Sequence, residues 1–284
     1  MPAFRPSKIP LDSPAVVDLR DSDAYARERP VGAVRLFPDD LVENPHMLPP
    51  RSRGLVIVGE TTAHVTPILK SLEQAGRNVI RHHPVETWRD HLDAETGPPS
   101  KQRLWEPARV VEQAVEIFVA SDRRPQSQSK PVALDLACGT GRNAVYLALE
   151  GFDVIAIDIL PDALTRTSAL AARHSVSVRT IQRDLETLGA LDDQRADLIV
   201  VVRFLERSLF PAIETALAPG GLLAYETFTE AQQALGHPRN PRFFLRRDEL
   251  RTAFPQLEIV LYESVFDDAH IARLLARQPI SKHR

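Results

Sequence analysis

A chain of 284 residues with 43% hydrophobic and 26% charged residues has the make-up of a soluble globular protein, with room for about two domains. Its formal net charge of −3 argues against general nucleic-acid binding, and no apolar run approaches the roughly 20 residues that cross a bilayer. A single cysteine excludes an internal disulfide, nine histidines at no ligand spacing give no reason to expect a metal, and MPAFRPSKIPLD lacks the apolar core of a signal peptide, so cytoplasm is the expected compartment.

The first 95 or so residues carry their own α/β pattern. AVVDLR (15–20) reads as a buried strand, and SDAYARER as a short helix with Asp21 or Ser22 as its N-cap. Gly32 turns the chain into a second strand, AVRLF, and GLVIVG (54–59) supplies a third. An amphipathic helix follows, with Val65, Ile68, Leu69 and Leu72 on one face, until Gly76 stops it. NVIRH is a fourth strand, His82-His83 is expected at an exposed strand end, and Pro84 is expected to open a last helix carrying Trp88. In order and spacing, VVDLRDSDAYARERPVGAVRLF, LVIVGETTAHV and AGRNVIRHHPVETW resemble a rhodanese-like domain over about residues 12–92. The active form of that domain needs a cysteine directly after the central strand, where converging amides stabilise a thiolate. Here Gly59 holds the position and the loop reads Gly59-Glu60-Thr61-Thr62-Ala63. The resemblance therefore implies a catalytically silent module for packing, dimerisation or substrate shaping, with a homodimer among the expected assemblies.

Residues 96–130 read as a linker and a leading helix. AETGPPSKQRL is polar and proline-bearing, whereas EPARVVEQAVEIFVA places Val110, Val111, Ala114, Val115 and Phe118 at helical spacing. Trp105, just before that helix, is expected in packing. SDRRPQSQSKP reads as a solvated loop into the second half, residues 131–284.

That half opens on VALDLACGTGRNAVYLALEGFDVIAID, which is a strand (Val132–Leu136), a glycine turn, a helix from about Arg142, and a strand ending in Asp158. Gly139 and Gly141 let the turn tighten and bring its amides close to a ligand at the helix N-terminus. Asp158 stands 19 residues after Gly139, where a carboxylate can accept both hydroxyls of a ribose. Gly139-x-Gly141-x-x-Ala144 also satisfies the dinucleotide fingerprint, so the glycines alone do not choose a ligand. Asp135 does. A carboxylate directly beneath the turn would repel a pyrophosphate by several kcal/mol (order of magnitude), but it suits the sulfonium and ammonium of S-adenosylmethionine. No Gly-Lys-Ser/Thr follows, which excludes a P-loop.

Asp-x-x-x-Gly-x-Gly followed by an acidic end to the next strand resembles the class I S-adenosylmethionine-dependent methyltransferases, and within them the tellurite-resistance-type group, over about residues 105–284. The resemblance implies a Rossmann-like α/β fold whose mostly parallel sheet ends in an antiparallel hairpin. It places Asp135, Ala137, Cys138, Gly139 and Gly141 against the methionine moiety and Asp158 and Ile159 at the ribose. Asp184 and Leu185 fall at the adenine, with Asp184 equally suited to capping the next turn, and Arg203 joins the cofactor set. Cys138 is expected as a small packing residue rather than a reactive thiol.

ADLIVVVRFLER carries the fourth strand of this half, LFPAIETALA a helix, APGG (218–221) a turn, and LLAYETF the fifth strand. LEIVLYESVF and IARLLARQPI read as the closing hairpin. Ligands of open α/β sheets sit at the carboxyl ends of the strands, so Glu206 and then Glu226 are the candidate catalytic bases. GHPRNPRFFLRRDEL (236–250) is expected as a lid, and Arg207, Arg239, Asn240 and Arg242 as contacts for a small anionic or metalloid oxyanion substrate, since guanidinium forks match oxyanions. A solvated helix start is the plainer reading of the same stretch. The resemblance implies a His in the stretch where Glu206 stands, and this departure leaves open a scaffold or sensor that binds S-adenosylmethionine without turnover. Methylation of RNA or protein is a further alternative, although RFLE replaces the Asn/Asp-Pro-Pro-aromatic signature of amino-group methylation.

Overall fold

The computed structural model describes residues 13–59, 62–97, 103–121, 130–267 and 269–280. The chain divides into two compact units, Met1–Glu106 and Pro107–Arg284. Glu60 and Thr61 of the expected loop and most of SDRRPQSQSKP fall outside the described residues.

In the first unit, β1 (Ala15–Asp18) leads into α1 (Ser22–Arg27), and Asp21 is the cap, its carboxylate accepting the Ala24 N–H at 2.7 Å. The short β2 (Arg29–Pro30) and β3 (Val34–Arg35) precede a helix the sequence did not announce, α2 (Pro38–Glu43). Then come β4 (Leu55–Gly59), α3 (Thr62–Gln74), β5 (Val79–Pro84) and β6 (Ala94–Glu95). Four strands form a parallel sheet in the order β3-β1-β4-β5, with the buried β4 inside it. β2 and β6 pair separately. Pro84 is absorbed into β5 as the partner of Gly59, so the helix expected from it shrinks to one 3-10 turn, Trp88–Asp90. His83 is buried rather than exposed and stacks on His91 at 4.8 Å. Buried Asp18 is held by Arg20, whose Nε and Nη2 donate to both carboxylate oxygens at 2.5–3.1 Å and whose guanidinium lies over Trp88.

The second unit begins with α4 (Arg109–Ala120), whose buried face is the predicted Val110, Val111, Ala114, Val115 and Phe118. Burying such side chains contributes about 1.5–3 kcal/mol each, which docks the helix on the sheet. Next are β7 (Val132–Leu136), α5 (Arg142–Leu149), β8 (Asp153–Asp158), α6 (Pro161–Arg173) and β9 (Arg179–Gln182). They are followed by β10 (Ala196–Val202), α7 (Phe210–Ala216), β11 (Leu217–Phe228), α8 (Glu249–Thr252), β12 (Glu258–Phe266) and β13 (His270–Arg277). The sheet order is β12-β13-β11-β10-β7-β8-β9. All pairs are parallel except those of β13, which runs antiparallel to β11 and β12. This is the Rossmann-like sheet with a closing hairpin. The APGG segment belongs to β11 instead of ending in a free turn, and a Cβ at Gly221 would come within 2.9 Å of the Ala218 carbonyl.

Register decides which side chains meet. Leu136, Val201, Tyr225, Leu274 and Tyr262 share one row and one face, packed on the large apolar core. The opposite face carries Asp135, Val200, Ala224 and Leu275, and two residues further toward the carboxyl edge Asp158, Val202, Glu226, Arg273 and Glu263. Alternation along a strand therefore puts Asp135, Asp158 and Glu226 on one face at one edge. Among the described residues no helix is long and apolar enough to cross a membrane.

Candidate active site

β7 delivers Asp135 to the edge almost fully covered, at 1% exposure. The chain then turns with positive φ at Ala137 (55°), Gly139 (55°) and Gly141 (79°). A non-glycine residue in that region is strained by about 1–2 kcal/mol, a cost that collects where backbone groups must converge on a ligand. The turn is braced from three sides. Cys138 N–H donates to the Ile157 carbonyl at 3.0 Å, Gly139 N–H to Asp158 Oδ2 at 2.8 Å, and Thr167 Oγ1 to the Gly139 carbonyl at 3.1 Å. Thr167, fully buried on α6, was invisible in the sequence because nothing local marks it. It also explains Gly141, since a Cβ there would lie 2.5 Å from Thr167 Oγ1 and Cγ2. Gly141→Ala is expected to lower stability by about 3 kcal/mol, from overpacking plus left-handed strain. Urea unfolding reads this as a shifted midpoint at unchanged slope.

Asp135 is the unusual group. Its Oδ2 is buried with no hydrogen-bond partner. Burial pushes its pKa up to about 7, opposed by a hydrogen bond from the Ala144 backbone and aided by the negative charge of Asp158. A buried acid with an unspent oxygen calls for a cationic or donating partner. The turn that follows it is open at Gly139, where an added Cβ would meet nothing within 4 Å. S-adenosylmethionine, with an ammonium and a sulfonium and no phosphate, fits both observations. Cys138 is 8% exposed, and burial, then the charge of Asp135, push its thiol well above the usual range, which suits a packing residue.

At the ribose end, Asp158 Oδ1 accepts the Leu160 N–H at 2.9 Å while Oδ2 holds Gly139, leaving further lone pairs for hydroxyls. Ile159 and Leu160 follow at 52% and 60% exposure, an apolar step at the sheet edge on which a flat base can rest. Asp184 is exposed, and its Oδ1 accepts the Glu186 N–H at 2.9 Å, so it does cap the turn. Its neighbour Leu185 is buried. The exits of β8 and β9 are stitched together by Arg183 N–H to the Asp158 carbonyl at 3.0 Å.

On the side of β10 and β11 the candidates are differently engaged. Glu206 Oε1 accepts from the Ser208 N–H at 3.0 Å and the Ser208 hydroxyl at 2.7 Å, bonds that hold its carboxyl below the usual range and make it a poor base. Glu226 is buried, 2.6 Å from Arg273 Nε and 3.6 Å from Arg203 Nε. Arg207 grips both oxygens of Glu249 at 2.5 and 2.9 Å and donates to the carbonyls of Arg242 and Phe244 at 3.0 Å. Arg242 pairs with Glu186, and its N–H is capped by Asn240 Oδ1 at 3.0 Å. Arg239 is exposed. The guanidiniums of Arg207 and Arg242 thus fasten residues 240–249 over the strand exits. Arg273, with the separation of 47 residues from Glu226, had no local signal in the sequence. Among the described residues no group of three or more His, Cys, Asp or Glu is placed to hold a metal ion.

A Rossmann-like sheet with a glycine turn over a buried acid and a second acid at the next strand exit defines a nucleoside-cofactor site of the methyltransferase kind. Comparison with known proteins agrees, as residues 133–221 match the family model described as a methyltransferase domain. Residues 133–221 are thus similar to a methyltransferase domain, and the same segment holds Asp135, the glycine turn and Asp158. Among its relatives is Hemagglutinin 1 of Eikenella corrodens, 32% identical over 146 residues, which are 48% of this chain and 47% of that protein. The ubiquinone biosynthesis O-methyltransferase of Rickettsia akari is 27% identical over 37% of this chain and 43% of its own length. A probable S-adenosyl-L-methionine-dependent methyltransferase, TehB of Haemophilus influenzae, is 28% identical over 46% of each chain. A crystal structure of TehB from that organism aligns over 59% of this chain and 61% of its own, with a TM-score of 0.48 at 21% identity. The matched stretches span less than half of each of these three relatives.

Proposed function

We propose that the protein transfers the methyl group of S-adenosylmethionine to a small acceptor, a metabolite or a metalloid oxyanion, and that its N-terminal unit is a rhodanese-like module without sulfurtransferase activity. The unpartnered Oδ2 of Asp135 beneath the glycine turn carries this reading. The cofactor supplies a methyl carbon on a positively charged sulfur, which leaves with the bond's electron pair. What the chain supplies is alignment: Asp158 and the turn amides fix the nucleoside, and Asp135 offers its charge to the cationic end. Neither candidate base is placed for proton removal, since Glu206 is a cap and Glu226 is ion-paired. Acceptors that arrive as anions, such as thiolates, phenolates or oxyanions, need no base and suit the site. The name of one relative, an O-methyltransferase, points to an oxygen acceptor, and the resemblance to tellurite-resistance-type methyltransferases adds a metalloid oxyanion.

For the N-terminal unit, a Cβ at Gly59 would approach Val65 Cγ2 to 2.7 Å. α3 thus packs on the very position where a sulfur-carrying side chain would start, which supports a silent module. A cytoplasmic location belongs to the same proposal. Transfer of labelled methyl from S-adenosylmethionine to members of a metabolite and metalloid panel tests the reading. Turnover with at least one small acceptor is expected. Tight cofactor binding with no transfer to any small acceptor would favour the scaffold.

A further inference from the structure

At the exits of β10 and β11 lies a cluster of paired charges. Arg273 is 3% exposed, yet its guanidinium meets three carboxylates: Glu226 at 2.6 Å, Glu263 at 3.1 Å, and Asp267. Glu226, itself 3% exposed, faces Arg203 with its other oxygen at 3.6 Å. Burying such charges contributes little net stability, because desolvation offsets the attraction, whereas removing one partner strands the other. A cluster of this kind is better at fixing geometry than at holding a fold. The group it fixes is Arg203.

Arg203 is constrained in three further ways. Its φ is +61°, the left-handed region that a side chain rarely takes. Its N–H donates to the Glu226 carbonyl at 2.8 Å, and its guanidinium lies 4.5 Å over the Phe228 ring. About a third of the side chain, 34%, is open at the sheet edge. The register gives its address. Val201 pairs with Leu136, so Arg203 leaves the sheet level with Cys138, one strand over from the glycine turn. Neighbouring strands stand about 4.8 Å apart, which sets this residue beside the place where the methyl donor must sit. Two cationic centres, a sulfonium and a guanidinium, would flank the acceptor. An ammonium-bearing acceptor is repelled there, and an anionic one is drawn in.

We propose that Arg203 is the acceptor-recognising residue, that Glu226 and Arg273 are positioning residues that hold its guanidinium, and that the acceptor is a small molecule carrying a carboxylate or oxyanion. This inference rests on the methyltransferase reading and narrows its substrate class. It also differs from the sequence expectation, which placed Arg203 with the cofactor and gave anion recognition to Arg207, Arg239, Asn240 and Arg242; Arg207 and Arg242 are held on Glu249 and Glu186 more closely than Arg203 is on Glu226.

The test uses the full chain and three matched pairs of acceptors, each an acid and its amide: 3,4-dihydroxybenzoate and 3,4-dihydroxybenzamide, thioglycolate and mercaptoacetamide, 4-aminobenzoate and 4-aminobenzamide. Labelled methyl transfer gives kcat and KM, and calorimetry gives cofactor affinity separately. In at least one pair the acid is expected to be methylated tenfold faster, as kcat/KM, than its amide. Arg203→Met should bring that ratio to about one, and Arg203→Lys should restore part of it. Glu226→Gln should raise KM for the acid several-fold with kcat within twofold, a split that mere loss of stability would not produce. A preference that survives in Arg203→Met, or no acid preferred or methylated at all while the cofactor still binds, overturns the inference and leaves the methyltransferase reading standing. Failure of the wild-type chain to bind S-adenosylmethionine would overturn both.

Discussion

Asp158→Ala is expected to weaken S-adenosylmethionine binding by at least about 100-fold, the largest single effect in the site. Two losses add. A hydrogen bond to a charged group is worth roughly 1.5–3 kcal/mol, and the carboxylate at the end of β8 has lone pairs left for two ribose hydroxyls. The same side chain also accepts the Gly139 and Leu160 N–H groups, so its removal frees the glycine turn and the apolar step beside it. Asp158→Asn, which keeps an acceptor oxygen for one of those amides, should fall between the two. Calorimetric titration with S-adenosylmethionine and with its demethylated product measures both variants. An unchanged dissociation constant in Asp158→Ala would remove the ribose assignment.

The second large effect is a pH dependence with opposite signs for stability and for binding. Asp135 has a folded-state pKa of about 7 against an ordinary value of 3.8, raised chiefly by burial. A raised acid holds its proton in the folded state after the unfolded chain has released it. Without cofactor, stability is therefore expected to fall as pH rises from about 4 to about 7, by an amount on the order of 4 kcal/mol. Binding runs the other way, because a cationic ligand favours the ionised carboxylate. S-adenosylmethionine should bind about 20-fold more tightly at pH 7.5 than at pH 5.5, with proton release on the acidic side. Asp135→Asn separates the two effects. The variant should be more stable than the wild type at pH 8 while binding the cofactor more weakly and with little pH dependence. Such a trade of stability for function is common where a group is buried for a ligand's sake. Thermal melts at pH 5 and 8, paired with titrations in buffers of different ionisation heat, read both quantities.

What could be read from the chain depended on how local the signal was. The glycine turn, its flanking strands and Asp158 lie within one short segment, and β7, α5 and β8 fall where VALDL, RNAVYLAL and DVIAID put them. The closing hairpin was equally plain, because two apolar runs flank the polar DDAH. By contrast, the partners that give the site residues their roles are distant. Thr167 reaches the Gly139 carbonyl from α6, and Arg273 reaches Glu226 from the neighbouring antiparallel strand, 47 residues on. Patterns of charge alone made Glu206 and Glu226 look like free acids and Arg207 and Arg242 like free cations. Their neutralising partners, Ser208, Arg273, Glu249 and Glu186, emerge only with tertiary structure. In the N-terminal unit, Pro84 was misassigned to a helix because its pairing with Gly59 in β5 depends on sheet register.

The central claim is that a buried acid under a phosphate-like turn selects a sulfonium cofactor. The most direct test is a calorimetric titration of the wild-type chain with S-adenosylmethionine and, separately, NAD, each at pH 6 and pH 8. The expected result is binding of S-adenosylmethionine that tightens at the higher pH, with no measurable heat from NAD at either. Firm binding of the dinucleotide, or a sulfonium ligand that binds better as Asp135 gains its proton, would contradict it.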